Sequence, residues 1–155
     1  QDNEISWLDW SLLSKNQALF AFFQYMIAFR KQHPSIRRDL EPSYTSYPSM
    51  SSHRLTPEPP VPSSDSHTAC VMFSGFDEKT GQEDLVFLAV NAHWIAKQLP
   101  FLPNGYVWKI AVNTGDLLHQ TFSGNDMPTA GQTVLLGERS VIVFAGMKQA
   151  ETASL

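Results

Sequence analysis

Leu19, Phe20, Phe22, Phe23, Met26, Ile27 and Phe29 recur at three-and-four spacing, while Gln17, Gln24 and Lys31 fall on the other side. That period is helical. The apolar stripe is broad and, with Tyr25, carries a large aromatic area, each Å² of which is worth about 25 cal/mol when removed from water. Such a helix needs another layer to cover it. Its ends are also marked. Ser14-Lys15-Asn16-Gln17 has the form of a capping box, a hydroxyl followed three residues later by Gln, which predicts a helix start. Pro34 excludes the helical region for His33, so the helix ends about there.

Ahead of this helix, Gln1, Asp2, Asn3 and Glu4 are crowded against Ile5, Trp7, Leu8 and Trp10. A self-sufficient domain more often begins with a solvated tail. The expectation is therefore a loop entering a hydrophobic groove, and a chain that is a fragment of a larger protein.

The 155 residues fit one domain, or one domain plus a docked piece of another. With 43% apolar and 17% charged residues, the chain has too much apolar content to be disordered. A net charge of −4 with 11 Lys and Arg argues against a nucleic-acid footprint. The basic cluster Arg30, Lys31, Arg37, Arg38 reads as favourable charge near a helix C-terminus. Cys70 is alone in the chain, which excludes an intrachain disulfide and favours a reducing, cytoplasmic setting. It sits in the apolar run from Ala69 to Phe73, as an inert core thiol would. No apolar run of about 18 residues is present, so no membrane span is expected.

From Asp39 to Ser66, six prolines are interleaved with serines, which reads as a surface connection. An edge strand around Met50 to Leu55 is the structure expected within it. The period then changes to two. Thr68 to Ser74 and Leu85 to Ala92 predict strands joined as a hairpin through Phe76 to Gly81. Further strands are predicted at Tyr106 to Asn113, near Leu117 to Phe122, at Thr133 to Leu136 and at Ser140 to Ala145. Short strands at this spacing, with no helix between them, imply an antiparallel sandwich or barrel. The organisation is thus 1–38, 39–66, 67–148 and a patternless tail, 149–155.

Asp2, Glu4 and Asp9 lie close in sequence, and glycoside hydrolysis uses two carboxylates about 5 to 9.5 Å apart. Acids in one short loop are more often caps or ion-pair partners. His33, His53, His67, His93 and His119 are scattered with no metal-ligand spacing, so neither metal nor cofactor is expected. Among the aromatics of the strand region, Trp108 alternates with Tyr106 and Ile110 as core residues do. Trp94, just past a strand end, is the candidate exposed ring for stacking on sugar. No active site is complete within these residues.

Gln1-Asp2-Asn3-Glu4-Ile5-Ser6-Trp7-Leu8-Asp9-Trp10 closely resembles a signature of isoamylase-type glycogen debranching enzymes, of the alpha-amylase superfamily of glycoside hydrolases. Arg30-Lys31-Gln32-His33-Pro34 and Arg37-Arg38 are similar to that family's Arg-Lys-x-His-Pro and Arg-Arg pattern. Leu88 to Trp94, Leu99-Pro100, Trp108 and Asn113-Thr114 resemble its C-terminal sandwich. The linker departs from the pattern: Ser52-His53-Arg54-Leu55 and Pro60-Val61-Pro62 stand where the family tends to have Trp-His-Gly-Val and Pro-Asp-Trp.

The resemblance implies a mainly β fold, an antiparallel Greek-key β-sandwich preceded by one long α-helix from the end of a (β/α)8 barrel. It also implies a parent enzyme that hydrolyses α-1,6 branch points of glycogen-like glucans with retention. The catalytic Asp, Glu and second Asp of such enzymes lie upstream of Gln1, so this segment is expected to be inactive and stabilising. Its partners would be a branched α-glucan, through the parent, and the missing barrel. Self-association through the exposed helix face is a further expectation. Barrel active sites sit at the βα loops, so Gln1, Asp2 and Asn3 are the expected substrate rim. The alternatives are a carbohydrate-binding module centred on Trp94 and an interaction domain.

Overall fold

The computed structural model of the chain describes residues 2–37, 47–53, 67–77, 80–99, 102–131 and 133–148. Gln1, Arg38, most of the 39–66 connection, Pro100 and the 149–155 tail, each singled out above, lie outside the described residues.

The aromatic stripe forms a helix, but it starts differently from the capping-box prediction. A single turn, α1 (Leu12–Lys15), precedes the long helix α2 (Gln17–Gln32). Ser14 lies inside α1, where its hydroxyl donates to the Ser11 carbonyl instead of capping α2. Asn16 interrupts the two helices, and its side-chain amide donates back to the Leu12 carbonyl. A local side-chain bond to a preceding carbonyl has outcompeted the cap. The C-terminus is as predicted: α2 stops at Gln32 before His33-Pro34, and a 3-10 turn, Pro34–Ile36, follows. Arg30 and Lys31 occupy the last turn of α2, where positive charge is favourable.

Most of the remaining described structure is antiparallel β, so the domain is a β-sandwich preceded by a helix. Its seven described strands are β1 (Met50–His53), β2 (Thr68–Asp77), β3 (Gln82–Asn91), β4 (Lys97–Leu99), β5 (Tyr106–Asn113), β6 (Val134–Leu136) and β7 (Ser140–Lys148). One sheet has the order β1-β2-β3-β7-β5, and β4 pairs with β6 in a second. β1 is the expected edge strand, pairing Met50 with Phe73 and His53 with Cys70; Arg54 and Leu55 lie outside the described residues. The hairpin is longer than its apolar runs, pairing Thr68 with Asn91 at one end and Asp77 with Gln82 at the other. At its turn Gly81 donates to the Asp77 carbonyl with φ of 66°, a left-handed conformation that glycine adopts without strain.

Two layers cover the large sheet. On one face, Leu99 of β4 and Leu136 of β6 close over Met72, Leu85, Phe87, Trp108 and Phe144. On the other, Phe22, Tyr25, Met26 and Phe29 of α2 pack on Val86, Val112 and Val143. This double cover explains why β3 and β7 read as nearly continuous apolar runs: Leu85, Val86 and Phe87 are all buried, as are Ile142 to Ala145. A bulge between Ile110 and Val112 lets consecutive Ala111 and Val112 both bury on the helix side.

The strand predicted near Leu117 to Phe122 is absent. Asp116 Oδ1 accepts the backbone N–H groups of Leu118 and His119, which folds the segment into a turn and leaves Leu117 and Leu118 each 86% exposed. Those two bonds also hold the Asp116 carboxyl below its ordinary value. Beyond the turn, the chain runs along the free edge of β5: Phe122 donates to Ala111, Ile110 to Pro128 and Ala130 to Trp108, all backbone to backbone. An otherwise open edge is covered without a regular strand. β4, which has little β-branched character, was not predicted.

Candidate functional site

Asp84 on β3 is 10% exposed at its side chain and lies 2.6 Å from His33 Nδ1 through Oδ1. Its Oδ2 accepts the backbone N–H of Ser35 at 2.9 Å. Burial would push this carboxyl up, but the hydrogen bond and charge of His33, with the Ser35 amide, hold it below its ordinary value. The His-Pro pair therefore does two jobs: proline stops the helix, and histidine clamps its end to the sheet. Tyr25 adds a second tie. Its hydroxyl donates to the Phe122 carbonyl, with the Ala111 carbonyl 3.1 Å away, and burial pushes its pKa up.

The three N-terminal acids do not form a catalytic pair across a cleft. Asp2 accepts the indole N–H of Trp7, and Asp9 accepts the Ser11 N–H, whose side-chain and backbone bonds lower its pKa. Asn3 Oδ1 accepts the Ile5 N–H at 3.1 Å, and its carbonyl accepts from Ser6. Of the expected substrate rim, Asp2 and Asn3 are exposed and bonded within their own loop, and Gln1 lies outside the described residues. Burial raises the Cys70 thiol to about 11, which leaves it protonated and unreactive at neutral pH.

Trp108 is core, 4% exposed, with its indole N–H donating to Pro103 at 2.8 Å. Beside it, a cleft of about 580 Å³ is lined by Leu102, Asn104, Tyr106, Trp108 and Thr129. Tyr106 donates to Glu83 at 3.3 Å, and burial and that carboxylate raise its pKa to about 12. Among the described residues no group of three or more His, Cys, Asp or Glu side chains is arranged to hold a metal ion.

Trp94 stands out on the surface, 64% exposed. Its ring lies 4.4 Å from His93 and 6.1 Å from His67, and the two imidazoles are 5.5 Å apart. Sequence spacing gave no sign of this cluster. Strand register creates it: pairing Thr68 with Asn91 brings the flanking residues together, and Ala92 donates to the His67 carbonyl at 2.7 Å. Beneath the rings, Asn91 is 1% exposed, and its amide donates to Ile95 and Gly137 while its oxygen accepts from the His93 N–H. His93 Nδ1 accepts the Ile95 N–H at 3.0 Å, which places the ring proton on Nε2. Burial, Lys97 and His67 lower the His93 pKa, favouring the neutral ring at pH 7.

No family model matches the chain. Over 38 residues, 24% of its length, the chain is 50% identical to the Glycogen operon protein GlgX homolog of Mycobacterium bovis and to that of Mycobacterium tuberculosis. The match spans 5% of the length of those relatives. No helix among the described residues is long and apolar enough to cross a membrane.

Proposed function

We propose that this chain is the C-terminal part of an isoamylase-type glycogen debranching enzyme, a retaining α-1,6-glucosidase acting on glycogen-like glucans in the cytoplasm. In this reading α2 is the last helix of the catalytic barrel, and the sandwich stabilises the barrel by covering that helix from outside. The chain supplies no catalytic acid. Asp2 and Asn3, with Gln1, would border the substrate at the barrel rim.

The observation that carries the reading is that α2 has two apolar flanks. Phe22, Tyr25, Met26 and Phe29 pack on the sheet, while Leu19, Phe20, Phe23 and Ile27 are exposed on a flank centred about 125° around the same helix. A helix between two layers needs both flanks, and a surface helix needs one. Local similarity to proteins named for a glycogen operon supports the choice of enzyme. Incubating the chain with amylopectin and measuring new reducing ends tests the assignment of roles. No turnover is expected, and turnover near that of an intact debranching enzyme would overturn it.

A further inference from the structure

We infer that the Trp94, His93 and His67 cluster is a carbohydrate-binding platform on the sandwich, separate from any catalytic cleft. A sugar platform needs a flat, solvent-facing ring, hydrogen-bond donors at its margin and a backbone that does not have to be ordered on binding. Trp94 provides the ring, at 64% exposure. With Nδ1 of His93 engaged by the Ile95 N–H, Nε2 carries a proton that can be donated to a hydroxyl. The loop is pinned at both sides of the ring: by the three bonds of buried Asn91, by Ala92 to the His67 carbonyl, and by Arg139 to the His93 carbonyl. Preorganisation of this kind lowers the cost of binding.

The chemistry favours a neutral pyranose over other planar ligands. A nucleobase would use the same stacking, but nucleic-acid binding draws on a concentrated basic face, and the chain has 11 Lys and Arg against 15 Asp and Glu. The choice of an α-linked glucan rests on the proposed debranching function; the stacking argument does not.

Affinity electrophoresis of the whole chain in gels containing glycogen, barley β-glucan or no polysaccharide tests the inference. Retardation by glycogen is expected, lost in Trp94→Ala and largely kept in Trp94→Phe, with the circular dichroism of both variants unchanged. Retardation by β-glucan alone, dependent on Trp94, upholds the platform and counts against the debranching assignment. Unchanged mobility in both polysaccharides, or equal retardation of wild type and Trp94→Ala, overturns it. Should Trp94→Ala fail to fold, quenching of wild-type tryptophan fluorescence by maltoheptaose, reduced in His93→Ala, takes its place; no quenching overturns the inference.

Discussion

At the scale of single residues, the His33–Asp84 contact is where helix and sheet depend on one another. Removing Asp84 leaves the Ser35 N–H and the His33 ring without their acceptor, so Asp84→Ala should lower stability by about 1.5–3 kcal/mol at neutral pH. The pH dependence has a definite sign. The folded-state pKa of Asp84 lies below its ordinary value of 3.8, so the stabilisation is complete above the unfolded value and is lost as pH falls through the folded one. Urea melts should therefore show wild type and Asp84→Ala well separated above the carboxylate range and converging as pH falls below about 4. A gap that stays constant or widens as pH falls below about 4 would contradict this. Gly146 gives a second case. A Cβ there would lie 2.8 and 2.9 Å from ring carbons of Trp108 and 3.1 Å from Leu85 Cβ. Both neighbours are buried, so Gly146→Ala should cost about 1–3 kcal/mol, read as a lower urea midpoint. An unchanged midpoint would mean that the indole is free to move.

At the scale of elements, the two flanks of α2 make opposite predictions. Phe29 is 5% exposed and packs on the sheet, so Phe29→Ala should cost about 3–5 kcal/mol. Phe23 is 58% exposed and Ile27 55%, so the double change Phe23→Ser with Ile27→Ser should alter stability by less than about 1 kcal/mol. Comparable losses from the two flanks in denaturant titrations would show that the helix sits differently. The sequence made the helix and its stop legible because aromatic spacing and His33-Pro34 are local signals. Which flank meets the sheet was not legible, since both are apolar and the choice depends on tertiary packing. The same holds for the strands. β2, β3, β5 and β7 announced themselves through apolar runs, whereas Lys97-Gln98-Leu99 buries one leucine and has no such run. Leu117-Leu118 carry the hydrophobicity of a strand, but the Asp116 side chain turns the backbone there. The exposure of the Trp94 ring is legible from its place just after a strand. Its imidazole neighbours depend on register across the hairpin, which no spacing within either segment encodes.

For the whole molecule, the decisive fact is the unequal treatment of two apolar surfaces. The sheet is covered on both faces, by β4 and β6 on one side and α2 on the other. Among the described residues the outer flank of α2 has no such layer, and Trp7, Leu8, Trp10, Leu12 and Leu13 are exposed in the segment leading to it. Apolar surface left in water on this scale drives association or dye binding. The chain by itself should therefore bind ANS, and its weight-average mass in sedimentation equilibrium should rise above the monomer value with concentration. Phe23→Ser with Ile27→Ser should reduce both effects while leaving the near-ultraviolet circular dichroism intact, because neither residue belongs to the packed core. That last condition separates a bare flank on a folded sandwich from a loosely packed chain, which would bind ANS but lack a fixed aromatic spectrum. A wild-type chain that stays monomeric at all concentrations and binds no ANS would show that the flank is already covered. The reading of α2 as a wall between two layers would then fail with it.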